Sequence, residues 1–249
     1  MPADTALTIA RWSAWAPGLE SQSDWLQWLA APCESPPQAD KGPPLTEVPA
    51  MVRRRIEPLG RAALQVAYWA QEGLPTEQVQ ATPLVFASRW GELARSLGLL
   101  QDLAQGQPLS PTAFSHSVHN AIGALYSIQR GIRANVSAVA AGAFSAESAW
   151  LEASALIAEG APEVLLVVFE APLPEPYAES SLAGLRAFAL RLCAAPAGGV
   201  RLSRDAALAD EGQDHGQGAC GLPADLGALR FLLGDAPELR QGGWRWVRS

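Results

Sequence analysis

The side chains best placed by type and spacing to do chemistry are histidines and a serine between residues 116 and 145. His116 and His119 are three residues apart, so one helical face could present both to a metal ion. No third ligand lies nearby, so a structural or interface role is the simpler interpretation, and no metal or cofactor is expected. Ser145 follows Gly142, but the nucleophile-elbow pattern G-x-S-x-G is absent. A first-turn serine that binds helix N–H groups is therefore favoured over a nucleophile.

The three cysteines predict neither a disulfide framework nor a zinc site. Cys33, Cys193 and Cys220 are far apart and show no paired spacing. A reduced, cytoplasmic compartment is therefore expected. No signal-peptide pattern opens the chain, and the apolar run Val164 to Phe169 is too short to cross a bilayer, so no membrane association is predicted.

Composition favours a packed domain and argues against a nucleic-acid partner. Of the 249 residues 49% are hydrophobic and only 17% are charged, which is enough apolar material for a core. Acidic residues outnumber basic ones by 25 to 18, giving a net charge of −7. Binding to phosphates needs a surplus of Lys and Arg, so this balance disfavours it.

Hydrophobic periodicity predicts strands that alternate with helices. A strand over 7–15 precedes a short helix through Trp25 that Ser23 could cap, and a proline-rich surface loop follows over 31–49. The remaining strands are predicted at 84–88, 135–140 and 164–169, and the helices at 50–72 (regular from Pro58), 93–100, 118–128 and 144–159. Beyond Pro172 the pattern weakens to a strand at 186–193, a loop at 204–223 and a helix at 226–233. Such alternation predicts a mostly parallel sheet that is covered on both faces.

Three stretches together resemble the N-terminal half of the β-ketoacyl synthases. They are ARWSAWAPG at residues 10–18, LSPTAFSHSVHNAIGALYSIQRGIRANVSAVAAG at 109–142 and ASALIAEGAPEVLLVVFE at 153–170. LVFASRWGEL at 84–93 and SVHNA at 117–121 are similar to the short ketosynthase-like subunits found beside bacterial aryl polyene synthases. The resemblance implies a thiolase-type layered α/β/α fold, equivalent mainly to the N-terminal half of a ketosynthase. Residues 1–249 would then form a single domain with a best-matched core at 7–170 and a divergent part at 171–249.

The nucleophile that this family uses is missing. In the family a cysteine sits at a strand-to-helix turn, where the helix N-terminus lowers the thiol pKa. Counting back from Gly160 places that position at Ala143, and counting forward from Asn135 places it at Gly142. Neither residue can form a thioester.

The other catalytic groups of the family are missing too. Active ketosynthases use two histidines and a lysine from a C-terminal half. Here His215 is the single downstream histidine, and Lys41, the single lysine, lies upstream. The resemblance therefore implies that this chain does not catalyse decarboxylative condensation by itself. Its aromatic-rich end at 242–249 is similar to that of the short subunits, so a complete chain is expected.

These departures favour a chain-length-factor-type subunit. It would form a heterodimer with a full-length β-ketoacyl synthase and shape that enzyme's acyl tunnel during polyene, polyketide or fatty-acid-type chain elongation. The residues expected at the interface or tunnel are Phe114, Ser117, His119, Asn120 and Phe144. The cluster Arg53, Arg54 and Arg55 could dock an acidic acyl carrier protein transiently, although a solvated helix start is the simpler interpretation.

Two other functions remain open at this point. One is a homodimeric acyl-binding or scaffold protein without a ketosynthase partner. The other is a hydrolase or acyltransferase that uses Ser145 or His119.

Overall fold

One eight-stranded mixed sheet organises the chain. The computed structural model describes residues 5–32, 41–178, 184–205 and 221–249, and its strands follow the order β3-β2-β4-β5-β1-β6-β8-β7. The strands are β1 (Leu7–Trp15), β2 (Leu84–Ala87), β3 (Val136–Val139), β4 (Val164–Glu170), β5 (Arg186–Ala194), β6 (Val200–Arg204), β7 (Glu238–Gln241) and β8 (Trp244–Arg248). The helices are α1 (Gln22–Ala30), α2 (Ala50–Arg53), α3 (Pro58–Ala70), α4 (Thr76–Ala81), α5 (Leu93–Ala104), α6 (Pro111–Ser115), α7 (Ala121–Arg130), α8 (Ser145–Ala158) and α9 (Ala224–Leu233).

The prediction of a mostly parallel sheet is wrong. Only β2 with β3 and β2 with β4 pair in parallel, and every other described pairing is antiparallel. The missed strands β6, β7 and β8 interleave charged and apolar residues, as antiparallel strands with one solvated face do. Much of the predicted loop at 204–223 lies outside the described residues.

Helices cover both faces of the sheet and confirm the layered α/β/α fold. One core contains Trp25, Trp150 and Trp246, under α1, α8 and α9, and the other contains Phe86 and Tyr126, under α3 and α7. The run VLLVVF in β4 supplies both cores. Val164, Leu166 and Val168 enter the first core, whereas Leu165, Val167 and Phe169 enter the second. This two-sided burial explains why the strand is continuously apolar.

Local signals place several helix ends correctly and miss others. Pro58 begins α3, and Gly131 ends α7 in the left-handed conformation that glycine adopts without strain. The cap of α1 is Ser21 rather than Ser23, because Ser21 forms a reciprocal capping box with Asp24. The short helices α4 and α6 carry too few turns to show a hydrophobic period.

The proline-rich segment before α2 does more than connect elements. Its described part, residues 41–49, contains no helix or strand, yet Leu45 and Val48 are buried against the core beside α3. The backbone N–H of Leu45 donates to Gln65 Oε1 at 2.8 Å. The prediction of a surface loop is therefore only partly right. No helix within the described ranges is long and apolar enough to span a membrane.

Candidate functional site

The turn between β3 and α8 contains both predicted nucleophile positions. β3 ends at Val139 and α8 begins at Ser145, so Gly142 and Ala143 both lie in the connection. Gly142 has a φ of 61°, in the left-handed region. Counting back from Gly160 and counting forward from Asn135 give positions one residue apart, and both positions lie in this turn. The side chains available there are a hydrogen atom and a methyl group.

Ser145 holds this turn together. Its Oγ accepts a hydrogen bond from the Ala141 N–H at 3.0 Å and donates one to the Gly142 carbonyl at 2.8 Å. The residue is only 3% exposed. The expected bonds to N–H groups of α8 are absent among those described, so that part of the prediction is wrong. A hydroxyl that is buried and bonded on both sides is better suited to bracing the turn than to attacking a substrate.

The hairpin of β7 and β8 packs onto the turn. Gly242, with a φ of 53°, lies at the hairpin turn, and a Cβ built there would be 1.7 Å from Phe144 Cζ. The Phe144 ring therefore occupies the space that any larger residue at 242 would need. Phe144 contacts its own chain in this way, and its place at a partner interface remains a prediction.

Replacing Gly242 should test this contact. Gly242→Ala should lower the free energy of unfolding by about 1–3 kcal/mol, because Phe144 must leave its rotamer to make room. The double variant with Phe144→Ala should show a favourable coupling in a urea-denaturation cycle. Gly73→Ala is the matched control, since Gly73 also has a positive φ (78°) but open space around it. Equal losses for the two alanine variants would show that backbone strain alone is involved.

A buried polar link lies behind the turn. Gln241 Nε2 donates to Glu147 Oε1 at 2.5 Å and to the Ala224 carbonyl at 2.9 Å, joining α8, β7 and α9. Burial raises the pKa of Glu147 to about 7. The second carboxyl oxygen of Glu147 has no hydrogen-bond partner in the described structure. Glu147 is therefore a buried acid that ionises near neutral pH.

A second ionic cluster lies at the C-terminal end of β4. Arg186 binds Asp225 through two hydrogen bonds of 2.8 Å, and both side chains are at least nine-tenths buried. Glu170 accepts from the backbone N–H of Arg89 at 2.5 Å. Burial raises the pKa of Glu170 to about 7, although the positive charge of Arg186 opposes that rise. The guanidinium of Arg186 thus pairs with Asp225 and also acts electrostatically on the half-buried Glu170, to which Ser88 adds a long contact of 3.4 Å.

The other predicted site residues surround the start of α7. His119 Nε2 lies 3.2 Å from the Val139 carbonyl at the end of β3, so this imidazole is next to the turn. Ser117 Oγ donates to the Phe114 carbonyl, and Asn120 precedes α7 without a side-chain cap. Phe114 is 62% exposed. The structure therefore places His119 beside the turn and Phe114 on the surface.

The described residues bear on the metal and cysteine predictions only in part, because several of the side chains concerned lie outside them. Within the described ranges, no group of three His, Cys, Asp or Glu side chains could hold a metal ion. Cys33, Cys220 and His215 lie outside those ranges. Cys193 is described in β5 as a free, partly exposed thiol.

Exposed apolar side chains concentrate in one segment of the chain. Eight of the eleven large hydrophobic side chains that the described residues expose lie between residues 90 and 136, and we call this set the apolar surface. They are Trp90, Leu100, Leu103, Leu109, Phe114, Val118, Ile128 and Val136. The helix α5 is amphipathic, yet none of its residues is buried, and α6 packs only lightly beside it. This number of exposed apolar side chains makes the segment a candidate for contact with another molecule.

The sheet edge beside this surface is also open. The strand β3, with sequence VSAV, carries no charge and pairs only with β2, so it leaves one row of backbone groups free among the described strands. The opposite edge, β7, carries Glu238 and Arg240, which discourage pairing with another strand. A strand of another chain could therefore pair more easily with β3 than with β7.

The basic cluster is divided between structural and exposed roles. Arg53 donates to the Leu45 and Val48 carbonyls at 3.1 and 3.4 Å, so its guanidinium stabilises the preceding loop. Arg54 and Arg55 are exposed. Sequence alone could not separate these roles, because the bonds of Arg53 depend on the path of the loop.

Comparison with known proteins identifies the family. The model of the β-ketoacyl synthase N-terminal domain matches residues 25–247. The chain belongs to the β-ketoacyl synthase family. No curated protein matches it.

Solved ketosynthase structures share this fold. A chain in the structure described as the ketosynthase ApeO in complex with its chain length factor ApeC, from Xenorhabdus doucetiae, is 29% identical with a TM-score of 0.76, and the match covers 98% of this chain and 99% of that one. The ishigamide ketosynthase/chain length factor matches at 16% identity, TM-score 0.61 and 98% coverage of both chains. Ketosynthase twelve of the bacillaene synthase from Bacillus amyloliquefaciens matches at 14% identity and TM-score 0.60, covering 82% of this chain but 48% of its own. The chain thus has nearly the full length of two of these relatives and about half that of the third.

Proposed function

We propose that this chain is a non-catalytic subunit of the chain-length-factor type that pairs with a full-length β-ketoacyl synthase. The observation that carries the proposal is the connection between β3 and α8, where the resemblance implies the family's nucleophile and where this chain has Gly142 and Ala143. The likeness to a ketosynthase and chain-length-factor complex over nearly the whole chain supports it.

The partner would cover the apolar surface and the open edge of β3. A heterodimer would bury α5, none of whose residues is fully buried within the described chain. The strand β3 leads directly into the turn at Gly142, so a partner seated there would bring its own site close to this turn. In this arrangement the ketosynthase is the protein that binds the apolar surface.

Within that complex the exposed residues of α6 and the following turn would line the acyl tunnel. Phe114 is large and 62% exposed, so it could limit the length of a growing chain. Ser117, His119 and Asn120 would contact the partner or the chain. Carrier docking would fall to Arg54 and Arg55, since Arg53 is already bonded. Phe114→Ala should lengthen the product formed by the complex, as measured by mass spectrometry.

Co-purification tests the pairing itself. The tagged chain should purify in a one-to-one complex with its ketosynthase, and Leu103→Glu should abolish that complex, because a charge would be buried at the interface. Leu26→Glu is the matched control, since Leu26 is also exposed (47% against 59%) but lies on α1. Light scattering of the eluate gives the stoichiometry.

The outcomes separate the proposal from its alternatives. Loss of the complex with Leu103→Glu but not with Leu26→Glu would support the proposed surface. A homodimer that ignores the ketosynthase would favour a scaffold or acyl-binding protein. Covalent labelling by an acyl-enzyme probe that Ser145→Ala abolishes would indicate a hydrolase or acyltransferase.

A further inference from the structure

A cleft of about 520 Å³ opens at the C-terminal ends of β2 and β4. Its size is within the range of about 300–1,000 Å³ of small-molecule sites. Most of its wall is apolar and includes Leu59, Trp90, Leu93, Leu173 and Leu185. The geometry is that of a site for an apolar ligand.

The charged groups around the cleft disfavour an anion. Glu57, Glu92 and Glu170 line it, whereas Arg95 is the one basic side chain in its described wall. Arg95 Nη2 already donates to Glu57 Oε1 at 2.8 Å. A ligand carboxylate would therefore meet more negative charge than positive charge.

Glu92 differs from the other carboxyl groups of the cleft. Its side chain is only 9% exposed, and the nearest cation, Arg95 Nε, is 3.7 Å from Oε2, which is beyond hydrogen-bond length. Glu170, by contrast, accepts from the Arg89 N–H at 2.5 Å. Glu92 is thus a largely buried acid on the cleft wall, close to Arg95 but without a hydrogen bond of ordinary length to it. Buried polar groups are usually hydrogen-bonded, and a ligand in the cleft could supply such a bond to Glu92.

Position links Glu92 to the apolar surface. It also lines a small cavity of about 20 Å³ whose other walls include His116 and Leu125. Trp90, at the cleft, is itself a member of the apolar surface. Glu92 therefore stands between the cleft and the segment on which a partner would dock.

We propose that this cleft binds an apolar chain that ends in a neutral oxygen group, a hydroxyl or carbonyl, with the Glu92 carboxyl as its hydrogen-bond partner. Burial raises the pKa of Glu92 to about 7, which agrees with a protonated, neutral carboxyl in slightly acidic solution. Such a group can both donate and accept. The proposal relies on the proposed function only for the source of the chain, which the partner ketosynthase would supply.

Calorimetry with three ligands of one length tests this assignment. The full chain, alone or with its ketosynthase, is titrated near pH 6 with 1-octanol, octanoate and octylammonium. Octanol should bind at least about tenfold more tightly than octanoate, because the anion would lose its hydration in a mostly apolar cleft whose one arginine is already paired with Glu57. The indole N–H resonance of Trp90, assigned as the signal missing from Trp90→Phe, should shift on binding.

Variants at Glu92 make the test specific. Glu92→Gln keeps a donor and an acceptor and should retain octanol affinity, whereas Glu92→Leu should lose about five- to tenfold, the effect of one hydrogen bond. Glu77→Gln, an exposed carboxyl on α4 that does not line the cleft, is the control and should change nothing. Absence of binding, equal or tighter binding of octanoate or octylammonium, or unchanged affinity in Glu92→Leu would overturn the proposal. None of these results affects co-purification with the ketosynthase, so the two proposals can fail separately.

Discussion

Arg186→Met is expected to destabilise the chain by about 3–5 kcal/mol, the usual cost of leaving a buried charge without its counterion. Arg186 is the cation between Asp225 and Glu170, and its guanidinium also donates to the Gly184 carbonyl at 3.1 Å. Methionine would fill similar volume but would leave Asp225 without its counterion and Glu170 without the nearby positive charge. Urea denaturation near neutral pH measures the loss.

An exposed pair provides the control. Arg11 and Glu72 also form an ion pair at 2.7 Å, but their side chains are 39% and 71% exposed. Arg11→Met should therefore cost less than about 1 kcal/mol. The loss in Arg186→Met should shrink in acid, where protonation removes the stranded negative charge. A loss that is equal in acid and at neutral pH would point to packing rather than charge as its cause.

The half of the fold with local signals could be predicted from sequence. The strand β4 is a continuous apolar run, and α8 ends near the predicted glycine stop at Gly160. Each of these signals comes from residues that are close together in the sequence. The antiparallel strands β6, β7 and β8 could not be predicted in the same way, because β8 is recognisable only when β6 and β7 pair on either side of it.

In the candidate site, too, features formed by residues close in sequence could be predicted, whereas contacts between distant residues could not. The connection between β3 and α8 could be predicted, since a strand, a turn and a helix follow one another in sequence. The Arg186 pair with Asp225 joins residues 39 positions apart, and Glu147 meets Gln241 across 94 positions. No local pattern reports such contacts. Glu92 likewise reads as an ordinary helix-start acid until the fold buries it.

The two ends of the sheet differ in how far the chain itself covers them. The C-terminal hairpin packs on the turn at Phe144 from within the chain, whereas β3 and α5 remain open. The chain therefore packs its own hairpin on the connection between β3 and α8 and leaves β3 and α5 accessible to the partner that we propose.

The stability of the chain should fall as pH rises from about 4.5 to about 7, and Glu147 should account for a measurable share. Its ordinary pKa is 4.5, and burial raises it to about 7 in the folded state. Between these values the folded state holds a proton that the unfolded state has lost, so the free energy of unfolding decreases by roughly 1.4 kcal/mol per pH unit. The stabilising contribution of Glu147 is fully present below pH 4.5 and is lost above about pH 7.

Glu147→Gln removes this titration while keeping an oxygen that can accept from Gln241 Nε2. Near pH 8 the variant should be more stable than the parent chain, by up to roughly 3 kcal/mol, because no buried carboxylate has to form. Near pH 5 the two should differ by less than about 1 kcal/mol, because Glu147 is then neutral. Glu159→Gln, at the exposed end of the same helix, should match the parent chain at both pH values. An advantage of Glu147→Gln that is the same at pH 5 and pH 8 would assign the effect to packing, since only a titrating carboxyl makes it grow with pH.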